Sequence, residues 1–105
     1  MQNTLIQGTA TGVLDTPERL AVVYHNTVVL DVDRQQGFAV LNTVDANGKP
    51  WHTATSKRRM NDASSANNLG FRVFQKHKVW FVRLIDGRVL DYFDGMQVPV
   101  RFRRR

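Results

Sequence analysis

The segment Trp51-His52-Thr53-Ala54-Thr55-Ser56-Lys57-Arg58-Arg59-Met60-Asn61 brings an indole, three hydroxyls, three cations and a carboxamide into a short stretch. Lys57, Arg58 and Arg59 fall where a helix is expected to begin. The first helical turn has unpaired N–H groups and a partial positive charge, so acids normally occupy it. Cations placed there point to an anionic ligand. Thr53 and Thr55 are two apart on an expected short strand, Trp51 to Ala54 and its continuation, so they and Trp51 share a face. Lys57, Arg58 and Asn61 follow on the first helical turns. The set Trp51, Thr53, Thr55, Ser56, Lys57, Arg58 and Asn61 could therefore surround one phosphate, with the indole stacking a ring beside it. The plainer alternative makes Trp51 a core anchor, the threonines ordinary strand residues and the cations a solvated patch. A Walker A loop is excluded, because Gly48-Lys49 lacks the upstream glycine spacing and Pro50 has no N–H to offer.

Other residue sets offer less. His25, His52 and His77 are far apart and fit no metal-ligand spacing, so each reads as a turn or surface residue. Asp31 and Asp33, two apart, suit a divalent cation in principle but read better as solvent-facing residues at a strand end. No serine has a nucleophile-elbow context, and Glu18 is the only glutamate. A noncatalytic protein without cofactor or metal is expected. At the carboxyl end, Val98-Pro99-Val100-Arg101-Phe102-Arg103-Arg104-Arg105 alternates apolar and basic residues. As a strand it would bury Val98, Val100 and Phe102. With Arg59, its Arg101, Arg103 and Arg104 are candidate nucleic-acid contacts, the alternative being a charge-protected edge strand with a trailing end.

The elements that must position these residues are mostly strands. Turn signals recur at short intervals and apolar residues alternate, as in half-buried antiparallel sheet. The expectation is an α+β fold: a predominantly antiparallel sheet, open or barrel-like, with one short helix inserted near residues 56–68. Residues 1–17 read as an extended arm or weak edge strand. Strands are expected at Arg19 to Tyr24, Thr27 to Val32 (Val28, Leu30 and Val32 on one face) and Phe38 to Thr43, with His25-Asn26 a turn. Thr55 or Ser56 can cap the helix, Met60, Ala63, Ser64 and Asn67 give it a thin apolar face, and Gly70 supplies its left-handed stop. Further strands are expected at Phe71 to Gln75, Val79 to Ile85, Arg88 to Phe93 and Gln97 to Phe102. A two-residue Asp86-Gly87 turn would set Trp80, Val82, Leu84, Val89 and Phe93 on one face and Val79, Phe81, Ile85, Leu90 and Tyr92 on the other. With both faces apolar, the hairpin should be covered on two sides, a homo-oligomer being one means.

A chain of 105 residues is expected to form one domain, 1–105, with a basic tail at 103–105. No apolar run approaches a bilayer span, and the start lacks the pattern of a secretory signal. Without cysteine there are no disulfides, which suits a cytoplasmic setting. Charge is split: residues 1–50 hold three basic residues against five acids, net −2, and the remainder twelve against four, net +8. Such asymmetry suggests a polyanionic partner.

The run Trp51, Thr53, Thr55, Lys57, Arg59, Met60 and Asn61, with Gly70 to Gln75 and Trp80 downstream, resembles a group of small tailed-bacteriophage accessory proteins. Their signature has the form Trp-x-Thr-x-Thr-x-Lys-x-Arg-Met-Asn. That group often has Gly-Gly before the Trp, where this chain has Gly48-Lys49-Pro50. The resemblance implies a phage origin, a location in the infected host's cytoplasm and a role against host defence or regulation. Three functions are carried forward. The first is a binder that sequesters a phosphate-bearing small molecule, such as a host immune signalling nucleotide. The second is a sequence-tolerant nucleic-acid binder using a basic face, Trp80 or Phe81 and the arginine tail. The third is an inhibitor of a host defence protein by direct contact.

Overall fold

The computed structural model describes residues 2–6, 11–25 and 27–101. They form an α+β fold dominated by antiparallel sheet. Five strands lead: β1 (Gln2–Ile6), β2 (Thr11–Asp15), β3 (Arg19–Tyr24), β4 (Thr27–Asp33) and β5 (Phe38–Leu41). The helix α1 (Ala54–Ala66) follows, then β6 (Arg72–Lys76), β7 (Val79–Arg83), β8 (Val89–Asp91) and β9 (Met96–Pro99). Among the described residues the large sheet is open, with order β1-β2-β3-β4-β5-β9. The small sheet has order β6-β7-β8, so the helix and small sheet are an insertion between the paired neighbours β5 and β9. The amino-terminal arm is a β1–β2 hairpin added to the edge of the large sheet.

One core joins both sheets and the helix. Leu20, Leu30, Leu41 and Met96 of the large sheet cluster with Val82 of the small sheet and Met60 of α1, all nearly or fully inaccessible. Burying a side chain of this kind stabilises the fold by about 1.5–3 kcal/mol. The helix lies beside β6, where its side chains replace a neighbouring strand. The Asn61 amide donates to the Val73 carbonyl and accepts from the Val73 N–H, both at 2.7 Å, while the Ser64 hydroxyl donates to the Phe71 carbonyl at 2.7 Å. These three bonds satisfy Val73 on the edge of β6 and the Phe71 carbonyl just before it, where an exposed edge would invite pairing with another chain.

Several expectations are corrected. Val28 does not share the face of Leu30 and Val32: a bulge where Val22 pairs with Leu30 and Val23 with Val28 inserts Val29, which becomes fully buried while Val28 is exposed. Residues 51–53 are not a strand. Thr53 caps the helix in place of Thr55 or Ser56, its hydroxyl accepting from the Ser56 N–H at 3.1 Å. The helix stops before Gly70. Asn68 takes the left-handed conformation (φ 53°), the Leu69 N–H donates to the Ser64 carbonyl and the Asn68 N–H to that of Ser65. The β7–β8 connection holds three residues, Ile85-Asp86-Gly87, closed by the Leu84 N–H donating to the Arg88 carbonyl, with Gly87 at φ 90°. Val82 therefore pairs with Leu90 and Arg83 with Val89, one position away from the two-residue register. Val89 moves from the Trp80 face to the opposite one, and Leu90 makes the reverse exchange. The expected turn residue Asn26 and strand residue Phe102 lie outside the described residues.

Candidate nucleic-acid interface

The helix start holds only part of the expected phosphate site. Thr53 spends its hydroxyl on the cap, accepting from Ser56 N–H and donating to Ser56 Oγ at 3.1 Å. Ser56 itself is buried and Asn61 is committed to Val73. Trp51 sits apart, 43% exposed, with its indole N–H on Asp45 at 3.0 Å and Lys49 Nζ 4.3 Å from the ring centre. The Trp51 bond, followed by the Lys49 N–H, draws the Asp45 carboxyl below its ordinary range. Thr55 is half-buried on the first turn and no longer faces with Thr53. Lys57 reaches Gln75 Oε1 at 3.3 Å and lies 5.7 Å from the Trp80 ring, while Arg58 is exposed. The first turn contains no acid. Of the seven residues, the structure leaves two cations there and does not converge the rest.

Behind Lys57 is a polar cluster with no clear sequence signal. Asp94 accepts from the Thr43 N–H and hydroxyl, each at 2.8 Å, and from the Tyr92 hydroxyl at 2.7 Å, with His52 Nε2 at 3.0 Å. Burial raises the Asp94 pKa, but the bonds from Tyr92, Thr43 and His52 outweigh it and leave the carboxyl below its usual range. Tyr92 is pushed well above its ordinary value, by burial first and then by donating to the Asp94 charge. His52 stacks on Trp80, ring centres 4.9 Å apart, and Tyr92 meets the same indole edge-on. The cluster fastens the segment before the helix to the loop before β9. It joins residues forty or more positions apart, which spacing alone cannot reveal. It also covers Trp80, which is 8% exposed and turned inward, so the expected use of Trp80 as a stacking platform is not met.

Among the described residues the other face of the small sheet is open. Directly paired residues point the same way, so the rows on this outer face are Arg72, Arg83 and Val89; Phe74, Phe81 and Asp91; Lys76 and Val79. Phe74 and Phe81 are half-buried and stack at 5.6 Å, 27° from parallel, and the Arg83 guanidinium lies 5.7 Å from the Phe74 ring. Val79 and Val89 are 50% and 48% exposed, too much apolar surface to be a covered face. Among the described residues the hairpin is thus covered on one side only. Comparison with known protein families, curated proteins and solved structures finds no match.

Of the proposed nucleic-acid contacts, Arg59 points away from this face. Its guanidinium lies 5.9 Å from the Tyr24 ring and 3.8 Å from Asp62, with its Nε buried. Arg101 is exposed and donates to Asn68 Oδ1 at 3.0 Å. Arg103 and Arg104 lie outside the described residues. The face residues Phe74, Arg72, Arg83 and Lys76 were missed as a set because strand pairing, rather than spacing, assembles them. Among the described residues no group of three or more His, Asp or Glu is arranged to hold a metal. No described helix is long and apolar enough to cross a membrane.

Proposed function

We propose that the protein is a noncatalytic, sequence-tolerant binder of single-stranded nucleic acid, and that the outer face of β6, β7 and β8 is its binding surface. The observation that supports this reading is the Phe74–Phe81 pair, open on one side and flanked by Arg72, Arg83 and Lys76. Unpaired bases stack on aromatic rings whatever their sequence, and nearby cations follow the phosphates. A second copy of this chain is a poorer occupant, because it would bring the same positive charge to the same surface. Fluorescence anisotropy with labelled single-stranded oligonucleotides tests the reading. Phe81→Ala, and separately Phe74→Ala, should each weaken binding by about fivefold or more, given roughly 1–3 kcal/mol per stacked base. Undiminished affinity in both variants, with folding intact by circular dichroism, refutes it.

A second reading, capture of a phosphate-bearing small molecule, draws support from Lys57 at the end of a first helical turn without acids and Arg58 directly after it. Titration calorimetry with a mononucleotide decides it. Heat of binding lost in Lys57→Ala/Arg58→Ala would favour this reading, and no heat in the unaltered protein would dismiss it for that ligand.

A further inference from the structure

The outer face carries one carboxylate among the described residues, Asp91, and it stands in the central row beside Phe81. A negative charge here opposes phosphate binding, so its placement calls for a different role. Asp91 is exposed and enters none of the ion pairs formed among the described residues. Nearby cations do not neutralise it: Arg83 lies against Phe74, and Arg88 is held by Asp86, with Nε to Oδ2 at 2.7 Å.

We infer that Asp91 is a specificity-determining residue that selects guanine from a single strand stacked on Phe81. The inference rests on the nucleic-acid reading of this face and adds a preference at one base position to stacking that otherwise tolerates any sequence. Directly paired residues on neighbouring strands have Cβ atoms about 4.5–5.5 Å apart, so a base lying over the Phe81 ring has its edge within reach of the Asp91 carboxylate. The Watson–Crick edge of guanine presents two parallel donors, N1–H and N2–H, which match two carboxylate oxygens as the fork of an arginine does. Cytosine and adenine offer one amino donor beside a ring nitrogen whose lone pair repels a carboxylate. Thymine and uracil offer one N–H between two carbonyls. An edge accessible in this way exists only in unpaired strands, since pairing uses the same donors. The inward neighbours of Asp91, Leu90 on β8 and Tyr92 just after it, cannot take this part, because one pairs with Val82 and the other gives its hydroxyl to Asp94.

The test uses the full chain and three labelled single-stranded decamers: thymidine only, thymidine with isolated guanines, and the same with hypoxanthine in place of guanine. Hypoxanthine keeps N1–H and lacks the N2 amine. The guanine decamer should bind about tenfold more tightly than the thymidine decamer, the scale of a bidentate base contact, and hypoxanthine should lose most of that gain. Asp91→Ala and the isosteric Asp91→Asn should abolish the preference, while affinity for the thymidine decamer holds or rises as the repelling charge is removed. Equal affinity for the guanine and thymidine decamers in the unaltered protein, or a preference that survives both substitutions, overturns the role of Asp91 and leaves the binding face standing. Failure to bind any of the three decamers overturns the nucleic-acid reading itself.

Discussion

Asp94 shows how one side chain can decide the order of a whole segment. Four donors reach its two oxygens, and with its pKa held below the ordinary carboxylate value the carboxylate stabilises the folded state. A depressed folded pKa gives stability that is fully present above the unfolded value, near 3.9, and lost as pH falls through the folded one. Urea denaturation should therefore show an acid loss below about pH 4 that is shallower in Asp94→Asn, which keeps an acceptor but does not titrate. Asn61 allows a second test at this scale. Asn61→Ala leaves the Val73 N–H and carbonyl without partners, and should destabilise by about 2–3 kcal/mol in the same assay. The sequence offered Asn61 as a ligand contact because a carboxamide beside cations suits a phosphate equally well. Its engagement with a strand edge depends on a helix-to-strand docking that residue types do not encode. Lys57 closes the first helical turn, which starts at Ala54, while Arg58 opens the second, because the helix begins two residues before its expected start.

Elements with strong local signals were legible. Strand β3 has the bounds that alternation and Pro17 suggest, and the helix lies within two residues of its expected start and end. What alternation could not supply was the count of residues in a turn or bulge. The added Val29 and the third residue of the 85–87 loop each reverse which neighbours share a face. The latter change exposes Val89 on the outer surface. The β6–β7 turn went without a signal for a related reason. His77 and Lys78 both have positive φ, 52° and 65°, and link the paired Lys76 and Val79, a type I′ geometry that Asn-Gly adopts far more readily. His77→Asn/Lys78→Gly should stabilise the protein by about 1 kcal/mol, seen as a higher urea midpoint with an unchanged slope. Gly70 is constrained in the opposite sense. Its φ is 96°, and an added Cβ would lie 2.7 Å from Ile85 Cγ2, so Gly70→Ala should cost about 1–2 kcal/mol.

Across the whole molecule, part of the charge split in the sequence follows the two sheets. The large sheet holds Asp15, Asp31 and Asp33, with Arg19 bound to Asp31 and Arg34 to Asp15, so its charges are largely spent on one another. On the small sheet, Arg72, Lys76 and Arg83 form no ion pair among the described residues and share the side that carries the aromatic rings. A polyanion approaching this protein is attracted to that side and oriented by it before any ring is touched. Each phosphate neutralised on a single strand contributes a slope of about −0.7 to log affinity against log salt. Three face cations thus predict a slope near −2, and Arg83→Gln should reduce its magnitude by about 0.7. Replacing Arg19 with Gln should leave the slope unchanged, because its charge is already matched and lies on the other sheet. A slope that responds equally to both substitutions would mean that nucleic acid senses only net charge, and the outer face would lose its special standing.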